Sequence, residues 1–378
     1  FLIQIGGLGV MTLASLGLYL VRQRVSLTDR LAVGQNLLHD PGFSLGRFLI
    51  AIVFLALFVE ALGARLLYTL LSSEISPFSA VFHSVSAFCN AGFSLNSDSL
   101  LPWQNRWDVL TVFMVLIIVG GLGFSVLVEI LQWLASRLPW KNRRKRIRLS
   151  WYSRVVLSTS VWLVFGGAVI LYCTEYVFFS RGVSLNTAVL GSLFQSVTCR
   201  TAGFNTVEIN QMTNVSLLFM MVLMLVGGAP GSTAGGVKVT TFRVMLSYYR
   251  AHLLGRKQAV IGHIAASKDT VNRALSLTLY SLLLVVAAVF LLHITEGGSI
   301  PHAGSRGLLL EIAFEVTSAL GTAGLTTGLT AGLSGAGKFV IMVLMFVGRL
   351  GPLIFLALVQ EYKKEELIAR PEGNLLIG

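Results

Sequence analysis

Three short stretches of this 378-residue chain carry one pattern, polar-Ala-Gly-apolar behind a run of small residues. Asn90-Ala91-Gly92-Phe93 follows Phe82-His83-Ser84-Val85-Ser86-Ala87-Phe88-Cys89. Thr201-Ala202-Gly203-Phe204 follows Phe194-Gln195-Ser196-Val197-Thr198-Cys199-Arg200. Gly321-Thr322-Ala323-Gly324-Leu325 follows Phe314-Glu315-Val316-Thr317-Ser318-Ala319-Leu320. These segments assemble no plausible Ser–His or metal constellation; their chemistry is that of backbone. Glycine reaches dihedral angles that aim carbonyl oxygens at a common axis, and inward-facing carbonyls can replace the water around a cation. Asn90, Ala91, Gly92, Thr201, Ala202, Gly203, Gly321, Thr322, Ala323 and Gly324 therefore read as three walls of an ion filter, with the ion held by extended backbone. A lone Ala-Gly would be an ordinary packing device between membrane helices. Three of them, each with an upstream Phe and a downstream glycine motif, carry the reading. No paired aspartates at membrane depth, Ser–His pair or metal-ligand spacing points to an enzyme, and Cys89, Cys173 and Cys199 form no C-x-x-C motif.

The downstream motif is Gly120-Gly121-Leu122-Gly123, then Gly227-Gly228-Ala229-Pro230-Gly231, then Gly348-Arg349-Leu350-Gly351. The chain opens on a fourth copy, Gly6-Gly7-Leu8-Gly9. This predicts four repeats, with the front of the first one preceding Phe1. The second copy begins a longer segment, Gly227, Gly228, Ala229, Pro230, Gly231, Ser232, Thr233, Ala234, Gly235 and Gly236 before Val237-Lys238. Such a sequence cannot stay helical. Its freed backbone groups are tolerated at membrane depth only where they line a cavity or are covered by protein, so the segment reads as a gate beside the filter. It lacks the Gly-Lys-Ser/Thr ending of a phosphate-binding loop. Arg349 interrupts an apolar run; a cation there costs about 2.5 kcal/mol or more and should face the bundle interior, where it would repel cations and help close the path. Arg200 should turn away from the pore and brace on Glu208 or Glu315. Glu60, near Arg65, reads as structural or as part of a subunit interface, Glu129 as the cytoplasmic end of its helix, and His83 as a packed, hydrogen-bonded histidine.

The elements that position these residues follow from composition. The chain is 54% hydrophobic and 12% charged, about half the charge of a soluble domain. Apolar runs at Phe48–Leu71, Trp107–Ile130, Val155–Tyr172, Val215–Val226, Leu275–Ile294 and Phe339–Val359 approach or exceed what a spanning helix needs. The net charge of +12 is concentrated in Arg22–Arg47, Arg137–Arg154, Lys238–Arg273 and the tail after Gln360. The positive-inside bias makes these stretches cytoplasmic, which displaces a nucleic-acid reading. Between them lie helix, short re-entrant helix with loop, and helix, the short helices starting near Pro77, Ser184 and Ser305. The organisation is therefore all-α integral membrane, four pseudo-symmetric helix–pore loop–helix repeats around one pore, in one membrane domain. Residues 1–21 are the second helix of the first repeat, 45–135, 151–251 and 270–362 are repeats two to four, and 136–150 and 252–269 are cytoplasmic basic linkers.

Gln4–Gly9, Phe82–Ser94, Phe194–Thr206, Gly227–Thr241 and Phe314–Thr327 closely resemble the Trk/Ktr/HKT superfamily of K⁺ transporters, and within it the Ktr-type membrane subunit. The resemblance runs over nearly the whole chain. It implies K⁺ uptake through a carbonyl filter with the glycine-rich loop and Arg349 as gate, a dependence on Na⁺ in some members, a homodimer, and residence in a bacterial plasma membrane. It also implies a cytosolic nucleotide-binding regulatory ring of the RCK type, nucleotide being expected on that partner alone. K⁺-passing members have glycine in all four filter segments and some Na⁺-passing members have serine in the first, so a Na⁺-passing member and the channel-like subunit of an ATP-driven K⁺ pump are the alternatives.

Overall fold

A computed structural model describes residues 2–8, 45–137, 148–178, 182–298, 301 and 304–350. Gly9, Gly351, most of the first basic stretch, the basic run at 141–147 and the basic tail lie outside the described residues. After α1 (Leu2–Leu8) come three units, each an incoming helix, a short helix and an outgoing helix. The first has α2 (Leu45–Leu70), α3 (Pro77–Phe88), α4 (Trp107–Gly121) and α5 (Phe124–Ala135). The second has α6 (Trp151–Tyr172), α7 (Leu185–Thr198), α8 (Asn214–Leu225) and α9 (Val239–Leu253). A hairpin of β1 (Val260–Ile261) and β2 (Ile264–Ala265) leads into the third, made of α10 (Lys268–Gly297), α11 (Leu308–Gly321), α12 (Leu329–Gly332) and α13 (Gly335–Leu350). The protein is mostly helical and multi-pass: among the described residues three helices are long and apolar enough to cross a membrane, or four if the bent pair α4 and α5 counts as one.

Local sequence sets these boundaries. Ser76, Ser150, Ser184, Thr213 and Ser267 each accept from the backbone N–H three residues on, closing the first turns of α3, α6, α7, α8 and α10; a cap of this kind is worth about 1 kcal/mol. The third short helix departs from the expected start at Ser305. It begins at Leu308, behind Gly307 in the left-handed region (φ 96°). The apolar run Trp107–Ile130 is not one straight span either. It bends by 107° between α4 and α5, because Gly123 takes φ 87° and the Phe124 N–H donates to Gly231 O at 3.1 Å instead of continuing the ladder. The linker 252–269 contains the hairpin, which the sequence reading missed.

Each short helix packs on the incoming helix of its own unit, α3 on α2, α7 on α6 and α11 on α10. In two units the same device holds them together. Ser84 Oγ donates to Glu60 O at 2.7 Å beside Gly63, and Ser196 Oγ donates to Val164 O at 2.7 Å beside Gly167. Small residues allow that backbone approach. In the third unit Val316 and Ala288 take part in an apolar contact layer instead. The outgoing helices then link neighbours: α1 packs on α3, α4 on α7, and α8 on α11. Phe88, Phe113, Phe194, Phe204 and Phe314 are fully buried at the centre of this arrangement.

Candidate functional site

The chain leaves each short helix through left-handed backbone. Asn90, Thr201 and Thr322 have φ of 50°, 74° and 53°, and Gly92, Gly203 and Gly324, two residues later, have 71°, 87° and 80°. The segments are thus alternating rather than simply extended. For a β-branched threonine this is an outlier, costing about 1–3 kcal/mol. The residue between is tied back to the helix: Ala91 N donates to Ser86 O at 2.9 Å, Ala202 N to Thr198 O at 2.9 Å and Ala323 N to Ser318 O at 2.8 Å. Gly321, read from sequence as part of the third wall, is still the last helical residue of α11.

These segments meet. A methyl group added to Gly92 would lie 2.5 Å from Ala202 O and 2.7 Å from Gly203 Cα; one on Gly203 would lie 2.9 Å from Ala323 O, 3.1 Å from Gly92 Cα and 3.5 Å from Gly324 Cα. The preceding polar residues bring three buried oxygens, Asn90 Oδ1, Thr201 Oγ1 and Thr322 Oγ1, that have no protein partner. An unpartnered buried oxygen costs about 1–3 kcal/mol, so three at matching positions call for water or a cation.

Beneath them runs the glycine-rich segment. Its ends are pinched together by Gly227 N to Val237 O at 2.8 Å and Val237 N to Leu225 O at 3.1 Å, and its tip, Gly231, is exposed. Asn90 Nδ2 donates to Thr233 Oγ1 at 2.8 Å, Thr201 Cγ2 lies 3.4 Å from where a methyl on Gly227 would sit, and a methyl on Gly235 would overlap the Thr322 side chain. The segment therefore touches the polar residue of all three filter candidates. Thr233 is its hub: Thr233 Oγ1 donates to Phe88 O at 3.2 Å, Thr233 N to Gly120 O at 3.2 Å, and Thr233 O accepts from Arg349 Nη1. Arg349 Nη2 also donates to Gly6 O and Gly7 O. Among the described residues Arg349 has no carboxylate partner.

The family model described as TrkH, cation transport protein, matches residues 1–364. The chain belongs to the TrkH cation transport family. This is a family of membrane transporters, not of enzymes. The chain is 37% identical over 388 residues to the Ktr system potassium uptake protein B of Vibrio alginolyticus, across 100% of this chain and 80% of that one. It is 35% identical to the potassium/sodium uptake protein NtpJ of Enterococcus hirae, across 100% of this chain and 82% of that one. The crystal structure of the potassium transporter TrkH from Vibrio parahaemolyticus superposes with a TM-score of 0.70 at 19% identity, covering 95% of this chain and 70% of the other, a likeness of fold.

One sequence expectation about a charged partner is overturned in this TrkH-family chain. Arg200 braces on neither Glu208 nor Glu315. It is buried and donates to Ser160 O at 3.3 Å and Gly227 O at 3.5 Å. It sits just past the C-terminal end of α7, where the helix dipole favours a cation, whereas Glu315 bonds residues beyond Gly324. Glu60 does not pair with exposed Arg65; it accepts from Gln4 Nε2 at 3.0 Å and from Cys89 Sγ at 3.7 Å. Glu129 accepts from Ser150 N, Ser150 Oγ and Ser153 Oγ at the start of α6.

His83 is packed and hydrogen-bonded as its sequence suggests, but the matching placement of His83 and Glu315 escaped the sequence reading. In the first and third units the residue after the motif Phe reaches the chain just past Gly92 and Gly324. His83 Nδ1 lies 2.8 Å from Ser79 O, which can only accept, and Leu95 N donates to His83 Nε2 at 3.4 Å. The ring is therefore neutral with its proton on Nδ1, and Nε2 also takes Ser94 Oγ at 3.0 Å. Glu315 accepts from Thr326 Oγ1, from Thr327 N at 3.1 Å and from Thr330 Oγ1. Ser94 and Thr326, like Leu95 and Thr327, stand at matching places after Gly92 and Gly324. In the second unit the segment is one residue shorter, and the tie does not form: Gln195 Oε1 and Thr206 Oγ1 are buried without protein partners. Hydroxyls add a second tie, Ser86 Oγ to Phe93 O at 2.7 Å and Thr198 Oγ1 to Phe204 O at 2.6 Å.

Proposed function

We propose that this chain takes up K⁺ across a bacterial plasma membrane through a pore of four pseudo-symmetric helix–pore loop–helix repeats, with α3, α7 and α11 as pore helices. One observation carries the reading: three polar-Ala-Gly segments in alternating left-handed backbone converge at Gly92, Gly203 and Gly324 above unpartnered oxygens of Asn90, Thr201 and Thr322. A K⁺ that sheds water in the mouth exchanges it for backbone carbonyls, and a negative-inside potential supplies about 2.3 kcal/mol per charge per 100 mV to draw it inward. The glycine-rich segment Gly227–Gly236 then obstructs the way out, pinned by Arg349 through Thr233, and its displacement opens the path. The names of the relatives, potassium uptake and potassium/sodium uptake, support K⁺ first and Na⁺ as a second permeant or coupled ion. The "Ktr system" in the first of these names supports a membrane subunit that works with other components. By resemblance these are a second copy of this chain and a cytosolic nucleotide-binding ring on the basic face. No cofactor is assigned to the chain itself.

The test is rubidium and sodium uptake into liposomes holding the purified protein. Gly203→Ala adds a methyl against the two flanking segments and a left-handed penalty of about 1–2 kcal/mol, so uptake should fall about tenfold or more. The variant should keep wild-type elution and thermal stability within a few degrees. Uptake unchanged in Gly203→Ala and in Gly92→Ala would remove the filter.

A further inference from the structure

On the far side of the gate from the filter, α9 and the hairpin enclose a cleft of about 250 Å³. Arg243, Ser247 and Arg250 line it from one face of α9, and Arg256 and Gln258 from the returning chain. The cleft is firmly built: Ile261 is buried, Trp151 Nε1 donates to Ile261 O at 3.0 Å, and Ala266 N donates to Ala259 O at 2.9 Å. Among the described residues no acceptor reaches any of the three guanidinium groups, and Arg243 Nε is buried without a partner. Three arginines around one small volume repel one another unless an anion joins them. A guanidinium presents donors in the fork that a phosphate matches.

The neighbouring surface says which phosphate. Leu246, Tyr249 and Leu253 form a stripe along α9 and are 38%, 56% and 88% exposed. An amphipathic helix with a basic edge and an exposed apolar stripe suits the plane of a bilayer surface. The positive-inside bias assigns that surface to the cytoplasmic leaflet, where anionic lipids meet basic pockets between helices. We propose that the cleft binds the phosphate of an anionic phospholipid headgroup, with the acyl chains lying along Leu246, Tyr249 and Leu253. The inference stands apart from the ion that the pore carries.

Native mass spectrometry of the purified protein in micelles holding equal phosphatidylglycerol and phosphatidylcholine tests it. Wild type should retain phosphatidylglycerol preferentially, and Arg243→Gln/Arg250→Gln/Arg256→Gln should lower that retention about a hundredfold. A charge-matched variant at exposed cations elsewhere, Arg65→Gln/Arg306→Gln/Lys338→Gln, should retain it like wild type. Should the triple cleft variant not elute as folded protein, Arg250→Gln and Arg256→Gln alone should each lower retention about fivefold. Absence of a phosphatidylglycerol preference, equal loss in both triple variants, or displacement of the lipid by millimolar inorganic phosphate would overturn the lipid assignment.

Discussion

Glu315 is a buried carboxylate satisfied by threonine hydroxyls and one backbone amide. Its bonds end on Thr326, Thr327 and Thr330, so it holds the chain just past Gly324 as His83 holds the chain just past Gly92. Glu315→Gln keeps the shape but offers one acceptor oxygen in place of two. Hydrogen bonds to a charged group are worth about 1.5–3 kcal/mol and neutral ones about 0.5–1.5, so the outer end of the third segment should loosen. The expected outcome is a several-fold fall in preference for K⁺ over Na⁺ in competition uptake, at near wild-type protein yield. Discrimination unchanged in both Glu315→Gln and Glu315→Ala would make the tie irrelevant to the ion. At this scale the glycines were legible in the sequence, because three copies of a pattern are a signal that one is not. The ties were not legible: His, Gln and Glu share no side-chain chemistry, and their equivalence appears only once the backbone sets them over matching residues. Arg200 misled for a related reason. A buried arginine suggests a carboxylate, but carbonyls freed by a helix end and a glycine loop answer it equally well.

The proposed gate is a property of elements rather than of residues. The glycine-rich segment has no bulky side chain of its own, yet it is sewn to α3, α4, α9 and α13 by backbone and by Thr233. Asn90, Gly120 and Arg349 all converge on that threonine, so its removal should free the segment without touching the filter backbone. Thr233→Ala and Arg349→Ala are each expected to raise basal K⁺ uptake several-fold, and the double variant should add little, since both cut the same attachment. Arg349→Lys should restore part of the closure, because one ammonium can reach one of the carbonyls but cannot span Thr233 and Gly6 together. If basal and stimulated fluxes in Arg349→Ala both match wild type, the attachment is structural and the gate lies elsewhere. The sequence revealed this segment through glycine and proline density alone. It did not reveal the 107° bend that precedes it, because Gly120-Gly121-Leu122-Gly123 sits inside an apolar run that hydropathy reads as continuous, and the bend depends on a partner, Gly231 O, more than a hundred residues away.

At the scale of the molecule, two asymmetries fix how the chain lies in a bilayer. Around the bundle, Phe54, Phe58, Trp162, Phe165, Leu283, Phe290 and Phe346 are all more than half exposed, and they fall at helical spacing on α2, α6, α10 and α13. Such faces would drive aggregation in water and suit hydrocarbon. Along the perpendicular, Lys238, Arg243, Arg250, Arg256, Lys257, Lys268 and Arg273 run from the start of α9, through the turn before the hairpin, into the first turns of α10, whereas the loops next to Gly92 carry Asp98 and, paired to Arg106 at 3.3 Å and 2.7 Å, Glu74 and Asp108. Surface pairs of this kind add little stability, so their value here lies in marking an end. Positive residues in short loops set orientation, which predicts a cytoplasmic Arg256–Lys257 turn and an external loop after Gly92. Asp98→Cys and Lys257→Cys, both at exposed positions, turn this into a measurement against a background in which Cys89 and Cys199 are buried and Cys173 is replaced by serine. A membrane-impermeant maleimide added to intact cells should label Asp98→Cys within minutes and leave Lys257→Cys unlabelled until the membrane is opened. The proposed filter and gate depend on this order, since in that reading K⁺ driven inward meets Gly92, Gly203 and Gly324 before Thr233. Labelling of Lys257→Cys from outside, with Asp98→Cys protected, would invert the path and leave the gate standing in front of the filter.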